Sequence, residues 1–205
     1  MTIYRLLIEF HPKRGRPQAI RNSRSVAAAS FLAVLALWLP QARATTLARM
    51  SVRELTQQST YVARVRCVSV VSVADFGLVW TLTTFEVAQP WKGNPPPRFT
   101  VRLPGGEAAG VRVSVEGAPR FTVGEDLVLF LTADRGRLMN IVSWAQGTFR
   151  IRKNPRTRLE EAVQDTAGLE ILDAHSGRAA QGGRRELPLA VLRASVLAAA
   201  RETLR

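Results

Sequence analysis

One cysteine, Cys67, stands in a chain of 205 residues. An internal disulfide is therefore impossible, which removes disulfide-stapled scaffolds and every zinc site built from several thiolates. Histidine is nearly as scarce: His11 and His175 are the two. With so few ligands no metal and no cofactor is expected. Lysine occurs only at Lys13, Lys92 and Lys153, so arginine supplies 26 of the 29 basic residues. No segment repeats at the spacing of a solenoid.

What is present is the composition of a folded domain, 46% hydrophobic and 22% charged, at a length that suits one core with appendages. Sixteen acidic residues leave a net charge of +13. Such a surplus points toward an anionic partner or toward a solvated arginine surface. Residues 1–44 carry seven basic residues and one acidic, Glu9, so +6 leaves with that segment and +7 stays on the rest.

The N-terminal segment reads as an address. Arg21 and Arg24 precede an uncharged, mostly apolar run from Val26 to Leu39, then Pro40 and Ala42-Arg43-Ala44. As a helix the run would span about 21 Å, short of the roughly 30 Å of a hydrocarbon core. Small residues one and three positions before a cut place cleavage between Ala44 and Thr45. A signal peptide over residues 1–44 is expected, and with it a secreted or periplasmic protein that meets the membrane only through this transient leader.

Beyond it, Ser51 and Glu54 have capping-box spacing, so a short helix starts there and ends near Gln58 or Ser59. From Tyr61 the period becomes two: Ala63, Val65, Cys67, Val71 and Val73 alternate with Arg64, Arg66 and Ser72. Asp75-Phe76-Gly77 is a turn and Leu78 to Trp91 the second strand of a hairpin. Asn94-Pro95-Pro96-Pro97 halts pairing. Phe99, Val101 and Leu103 then alternate with Arg98, Thr100 and Arg102, and Val111, Val113 and Val115 with Arg112, Ser114 and Glu116. Leu127 to Leu131 is apolar on both faces, the mark of a central strand. Arg135-Gly136 is a turn, Leu138 to Ser143 a strand, and Phe149 and Ile151 alternate with Arg150 and Arg152; the sheet is expected to end at Asn154-Pro155.

Val163 to Gln164 and Leu169 to Leu172 suggest one more hairpin around Thr166-Ala167-Gly168. After a glycine-containing stretch the period returns to 3.6, with Leu189, Leu192, Val196 and Ala199 following Pro188. The expected organisation is a β-domain over 45–155, an extra hairpin over 156–173, a flexible tether over 174–186 and a C-terminal helix over 187–205. Six or more short strands with a helix at each end predict a mainly β fold, a small OB-like barrel, closed or partly closed.

The short helix, the strand through Tyr61-Val62-Ala63-Arg64-Val65, the strand ending Phe85-Glu86-Val87 before Trp91-Lys92-Gly93, and Phe121, Gly124-Glu125 and Leu127-Val128-Leu129-Phe130-Leu131 together resemble netrin/TIMP-like modules. The resemblance is closer to a set of uncharacterised secreted bacterial proteins that carry such a barrel. It covers about half the chain and implies an OB-fold barrel. It does not carry over metalloprotease inhibition: TIMP-like inhibitors chelate zinc through an N-terminal cysteine held by disulfides, whereas the expected mature terminus here is Thr45 and no disulfide is possible.

Catalytic constellations are not found. Cys67 sits on the apolar face of a strand, where a thiol packs as a small hydrophobe, and His175 lies in the expected tether. The glycine run Gly105 to Gly110 lacks the lysine and hydroxyl of a phosphate loop. The carboxylates Glu160, Glu161, Asp165, Glu170 and Asp173 lack calcium-loop spacing, and nothing selects a glycosidase pair among them. What remains is the outward set Arg64, Arg66, Arg98, Arg102, Arg112, Arg150 and Arg152, able to meet phosphate, sulfate or carboxylate groups if gathered in one stripe. The alternative is a scattered, solubilising set. Aromatic interleaving is thin, so no specific nucleic acid is expected.

The sequence thus predicts an exported, non-enzymatic protein that binds an envelope or extracellular protein or an anionic polymer. The alternative is a secreted hydrolase or protease-associated protein whose site the sequence does not display.

Overall fold

The computed structural model describes residues 46–133, 138–173 and 176–202. The expected leader, its cut between Ala44 and Thr45, the turn at Arg135-Gly136, and His11 and His175 lie outside them. No helix among the described residues is long and apolar enough to cross a membrane.

Helix α1, Val52–Gln58, begins at the expected capping box. Ser51 Oγ accepts from the Glu54 N–H at 3.2 Å, and the Glu54 carboxylate accepts from the Ser51 N–H at 2.7 Å. Two of the four backbone donors that a helix start leaves unpaired are thus met locally. At the other end Ser59 Oγ donates to the Leu55 carbonyl at 2.6 Å. Lys92 Nζ donates to the carbonyls of Thr56 and Ser59 at 2.6 and 2.7 Å, a cation placed where the helix leaves its carbonyls open. Burial lowers the Lys92 pKa. Gly93 follows at φ +67, and a Cβ there would lie 2.7 Å from the Thr60 carbonyl oxygen. The Trp91-Lys92-Gly93 motif therefore clamps α1 to the sheet.

Strands β2, Tyr61–Asp75, and β3, Leu78–Lys92, form the expected hairpin. Its two-residue turn has Phe76 at φ 46 and Gly77 at φ 77, the left-handed pair that matches strand twist. Register shifts interrupt the pairing, one of them between Cys67 and Ser69. That shift changes which side chains point inward. Val71, expected on the inward face with Cys67, is 51% exposed. Ser72 instead turns in, its Oγ 3.1 Å from Thr81 Oγ1.

The remaining strands are β1, Thr46–Ala48; β4, Arg98–Pro104; β5, Gly106–Ala108; β6, Val111–Val113; β7, Asp126–Ala133; β8, Leu138–Ile141; β9, Thr148–Lys153; β10, Glu160–Asp165; β11, Glu170–Leu172; β12, Ala179–Gln181; and β13, Arg184–Pro188. Helix α2 is Leu189–Glu202. The fold is mainly β. Its large sheet runs β13-β10-β9-β7-β2-β3-β4-β8 and is partly ringed, because β8 also pairs with β7. β8 lies parallel to β4 and antiparallel to β7, so the path β7-β2-β3-β4-β8 returns to β7. The glycine run Gly105 to Gly110 holds β5, paired with β6 in a two-stranded sheet.

Two cores lie on opposite faces of β2 and β7. The first, within the ringed part, gathers Val65, Cys67, Phe85, Phe99, Val101, Leu127, Leu129, Leu131 and Met139. Phe121 meets Phe85 edge-on at 5.0 Å between ring centroids. The second packs α1 and α2 on the outer face through Leu55, Leu192 and Val196 against Val128, Phe130 and Phe149. This is why β7 is apolar on both faces. Leu189, Leu192, Val196 and Ala199 are the buried side of α2, as their spacing predicts. Arg53 and Glu202 join the two helices at 2.7 Å.

The C-terminal third differs from expectation. The sheet does not end at Asn154-Pro155, since β10 pairs with β9 and then β13 with β10. Nor do the strands of the expected hairpin over 156–173 pair with each other: β11 joins β1 in parallel and β12 antiparallel. The described part of the expected tether over 174–186 holds β12 and the start of β13. Short strands of three residues carry too little alternation to be seen in sequence, and their partners are distant.

Candidate functional site

The structure does not gather the seven candidate arginines into one stripe. Arg64 stands opposite Val128, and Arg66 opposite both Asp126 and Glu86. Glu86 in turn stands opposite Arg98. Val128 packs on the helix side of the sheet, so Arg64, Arg66, Arg98 and Arg102 share that outer face. Arg150 stands opposite Leu127, whose side chain fills the ringed core. Arg150 and Arg152 are therefore on the other face, and Arg112 lies on the separate β5–β6 hairpin. Alternation gives faces within a strand, but only register relates one strand's faces to the next.

Most of the seven are already engaged. Arg64 makes a two-pronged bond to Glu160 at 2.8 and 3.0 Å and lies 3.5 Å from Asp126. The Glu160 hydrogen bonds raise its guanidinium pKa further above the ordinary value. Arg98 meets Glu86 at 3.3 Å, Arg112 meets Glu107 at 2.6 Å and Arg150 meets Glu125 at 3.5 Å. Arg102 meets Asp75 at 3.0 Å and lies 4.1 Å over the Trp80 ring. Arg66 and Arg152 have no ionic partner among the described residues, and both are exposed.

Cys67 is buried. Desolvation raises its thiol pKa, with Glu125 adding to the shift. It is a core residue, as its neighbours in sequence suggest. Among the described residues no group of three His, Cys, Asp or Glu side chains is placed to hold a metal ion.

A cavity of about 570 Å³ opens where the β1-β11-β12 sheet meets the ends of β10 and β13. Its floor is polar. Gln146, Gln164 and Thr166 are buried there. Gln146 Nε2 donates to the Ala48 carbonyl at 2.8 Å and to Ser143 Oγ at 3.0 Å, and its Oε1 accepts from the Met50 N–H at 2.9 Å. Gln164 Nε2 donates to the Gln146 carbonyl. Thr166 Oγ1 donates to the Gly183 carbonyl at 2.9 Å and accepts from its N–H at 3.1 Å. Gly182 is required by this approach, because a Cβ would lie 2.1 Å from the Thr166 carbonyl oxygen. Arg49, Arg184 and Arg185 line the cavity with Glu54 and Asp173.

Sequence reasoning missed this cavity. Its walls combine the segments expected as hairpin and tether with Arg49 to Glu54 and Gln146 from the β-domain. The one local signal was the adjacent pair Gly182-Gly183, which in a tether needs no packing reason and here has one. Compared with protein-family models, curated proteins and solved structures, the chain matches none.

Proposed function

We propose that this chain is an exported, non-enzymatic protein whose ringed strands form an OB-like barrel, and that this module contacts a protein or an anionic polymer outside the cytoplasm. The observation that carries the reading is the filled interior of the strand circuit. Side chains from all five strands occupy it, among them Val65, Phe85, Val101, Leu129 and Met139, so a ligand is met on the surface. That surface is rich in arginine: Arg66, across from Asp126 and Glu86, and Arg152, across from Glu161, are exposed and form no ion pair among the described residues. Parallel pairing of β4 with β8 beside antiparallel β7 supports the OB-like assignment. The charged leader and its Ala-x-Ala ending support export.

Heparin serves as a polyanion probe. The purified protein is expected to bind it at low ionic strength and to elute as salt rises, with Arg66→Ala/Arg152→Ala eluting earlier. Flow-through at low salt, or retention that ignores salt, overturns polyanion binding and leaves the protein-contact form, read by affinity capture from the cell envelope and medium. Mass spectrometry of the exported product is expected to find Thr45 at its start. A product beginning at Met1 overturns the export reading.

A further inference from the structure

The geometry points to the cavity between β10, β11 and β13 as a binding site for a small hydroxylated carboxylate of monosaccharide size, a uronic-acid unit being the type. At about 570 Å³ it lies within the usual range for small-molecule sites. Its chemistry calls for two kinds of ligand group at once.

The first is an anion. Arg49 and Arg185 line the cavity, and neither has an ionic partner among the described residues. Arg184 is already joined to Glu186 at 2.6 Å. Arg185 stands directly across from Gln164 in the β10–β13 ladder, so its side chain leaves the sheet on the same face as the cavity floor. Glu54 and Asp173 share the lining but form no ion pair with either arginine, and a carboxylate that reached Arg49 and Arg185 would gain charge-assisted bonds.

The second is a hydrogen-bond donor. Gln164 is 8% exposed, its Nε2 is bonded to the Gln146 carbonyl, and its Oε1 has no partner among the described residues. The oxygen is not sealed off from the cavity, so it can accept an O–H or N–H from a ligand there. A fully ionised inorganic anion has none to give, whereas a sugar hydroxyl does. Met50 and Ile171 on the same walls offer apolar surface to the C–H face of a sugar ring. The site uses neither Arg66 nor Arg152 and does not require the barrel assignment, so it stands or falls apart from polyanion binding on the sheet.

The test is an amide NMR titration of the purified protein with glucuronate, with glucose and acetate as separate arms and calorimetry for affinity. Glucuronate is expected to shift the amides of Gly182, Gly183 and Arg185 in a saturable way. Arg49→Gln and Arg185→Gln, both at exposed positions, should each weaken it by about tenfold while leaving the remaining amide spectrum close to wild type, and Arg66→Ala/Arg152→Ala should leave glucuronate binding unchanged. Glucose, lacking the anion, and acetate, lacking the hydroxyls, should bind at least about tenfold more weakly. The proposal is overturned if glucuronate leaves these amides unmoved, if acetate binds as well, or if the two variants bind unchanged.

Discussion

Arg64 on β2 grips Glu160 at the start of β10 with two guanidinium nitrogens, although β7 and β9 lie between those strands in the sheet order. The Arg64 side chain is only 19% exposed and Asp126 flanks it, so the pair is better shielded than a surface bridge. Arg64→Ala is expected to cost about 1 kcal/mol, with the partner carboxylate left exposed enough to resolvate. Urea unfolding measures it. A loss that Glu160→Ala does not share would separate Arg64 packing from the pair itself.

Lys92→Met removes the donor from the Thr56 and Ser59 carbonyls and is expected to cost about 1–2 kcal/mol. The pH dependence has a definite sign. Burial lowers the Lys92 pKa, so the folded state holds this proton less tightly than the unfolded chain. The cost of the buried charge is present at neutral pH and is relieved as pH rises through the lowered value toward the ordinary one. Across that alkaline window wild type should gain stability relative to Lys92→Met. A narrowing difference contradicts the assignment.

The Cys67 thiol behaves in the opposite sense. Its pKa is raised by burial, so the folded state keeps the proton that the unfolded chain gives up. Stability from this group is full below the ordinary thiol pKa and is lost as pH climbs from there through the raised folded value. Wild type should therefore lose stability relative to Cys67→Ala over that range. A thiol reagent at neutral pH should label the protein only as fast as it opens, and fully in denaturant. Rapid labelling of the native protein would show that Cys67 is not enclosed.

Phe76 is fully exposed at the hairpin tip and adopts φ 46, a left-handed conformation that an aromatic side chain enters at a cost. Asparagine is the favoured residue before glycine in such a turn. Phe76→Asn is expected to raise the melting temperature by about 2–5 °C, because the solvated ring has no buried packing to give up. An unchanged or lower midpoint by calorimetry would mean that the ring contributes packing at the tip.

How far these features were legible depended on whether their cause was local. The capping box of Ser51 and Glu54, the helical spacing of Leu189 to Ala199 and the doubly apolar β7 are written within a few residues of one another. The exposure of Val71 was not legible, because it follows from a register shift after Cys67. The division of the arginines between two faces was not legible either: Arg64 and Arg150 part company only when Val128 and Leu127 are placed opposite them. The cavity is the extreme case, since Arg49, Gln146, Gln164 and Arg185 meet only after β10, β11 and β13 find distant partners.

Surface binding presupposes that β8 closes the strand path, and nuclear Overhauser effects across its two ladders test this most directly. Val101 stands beside Met139 on one side, and Leu131 beside Ile141 on the other. Both sets of cross-peaks are expected at full intensity in the same folded species. Cross-peaks from Leu131 to Ile141 without those from Val101 to Met139 would mean an open sheet, and the filled interior on which surface binding depends would be gone.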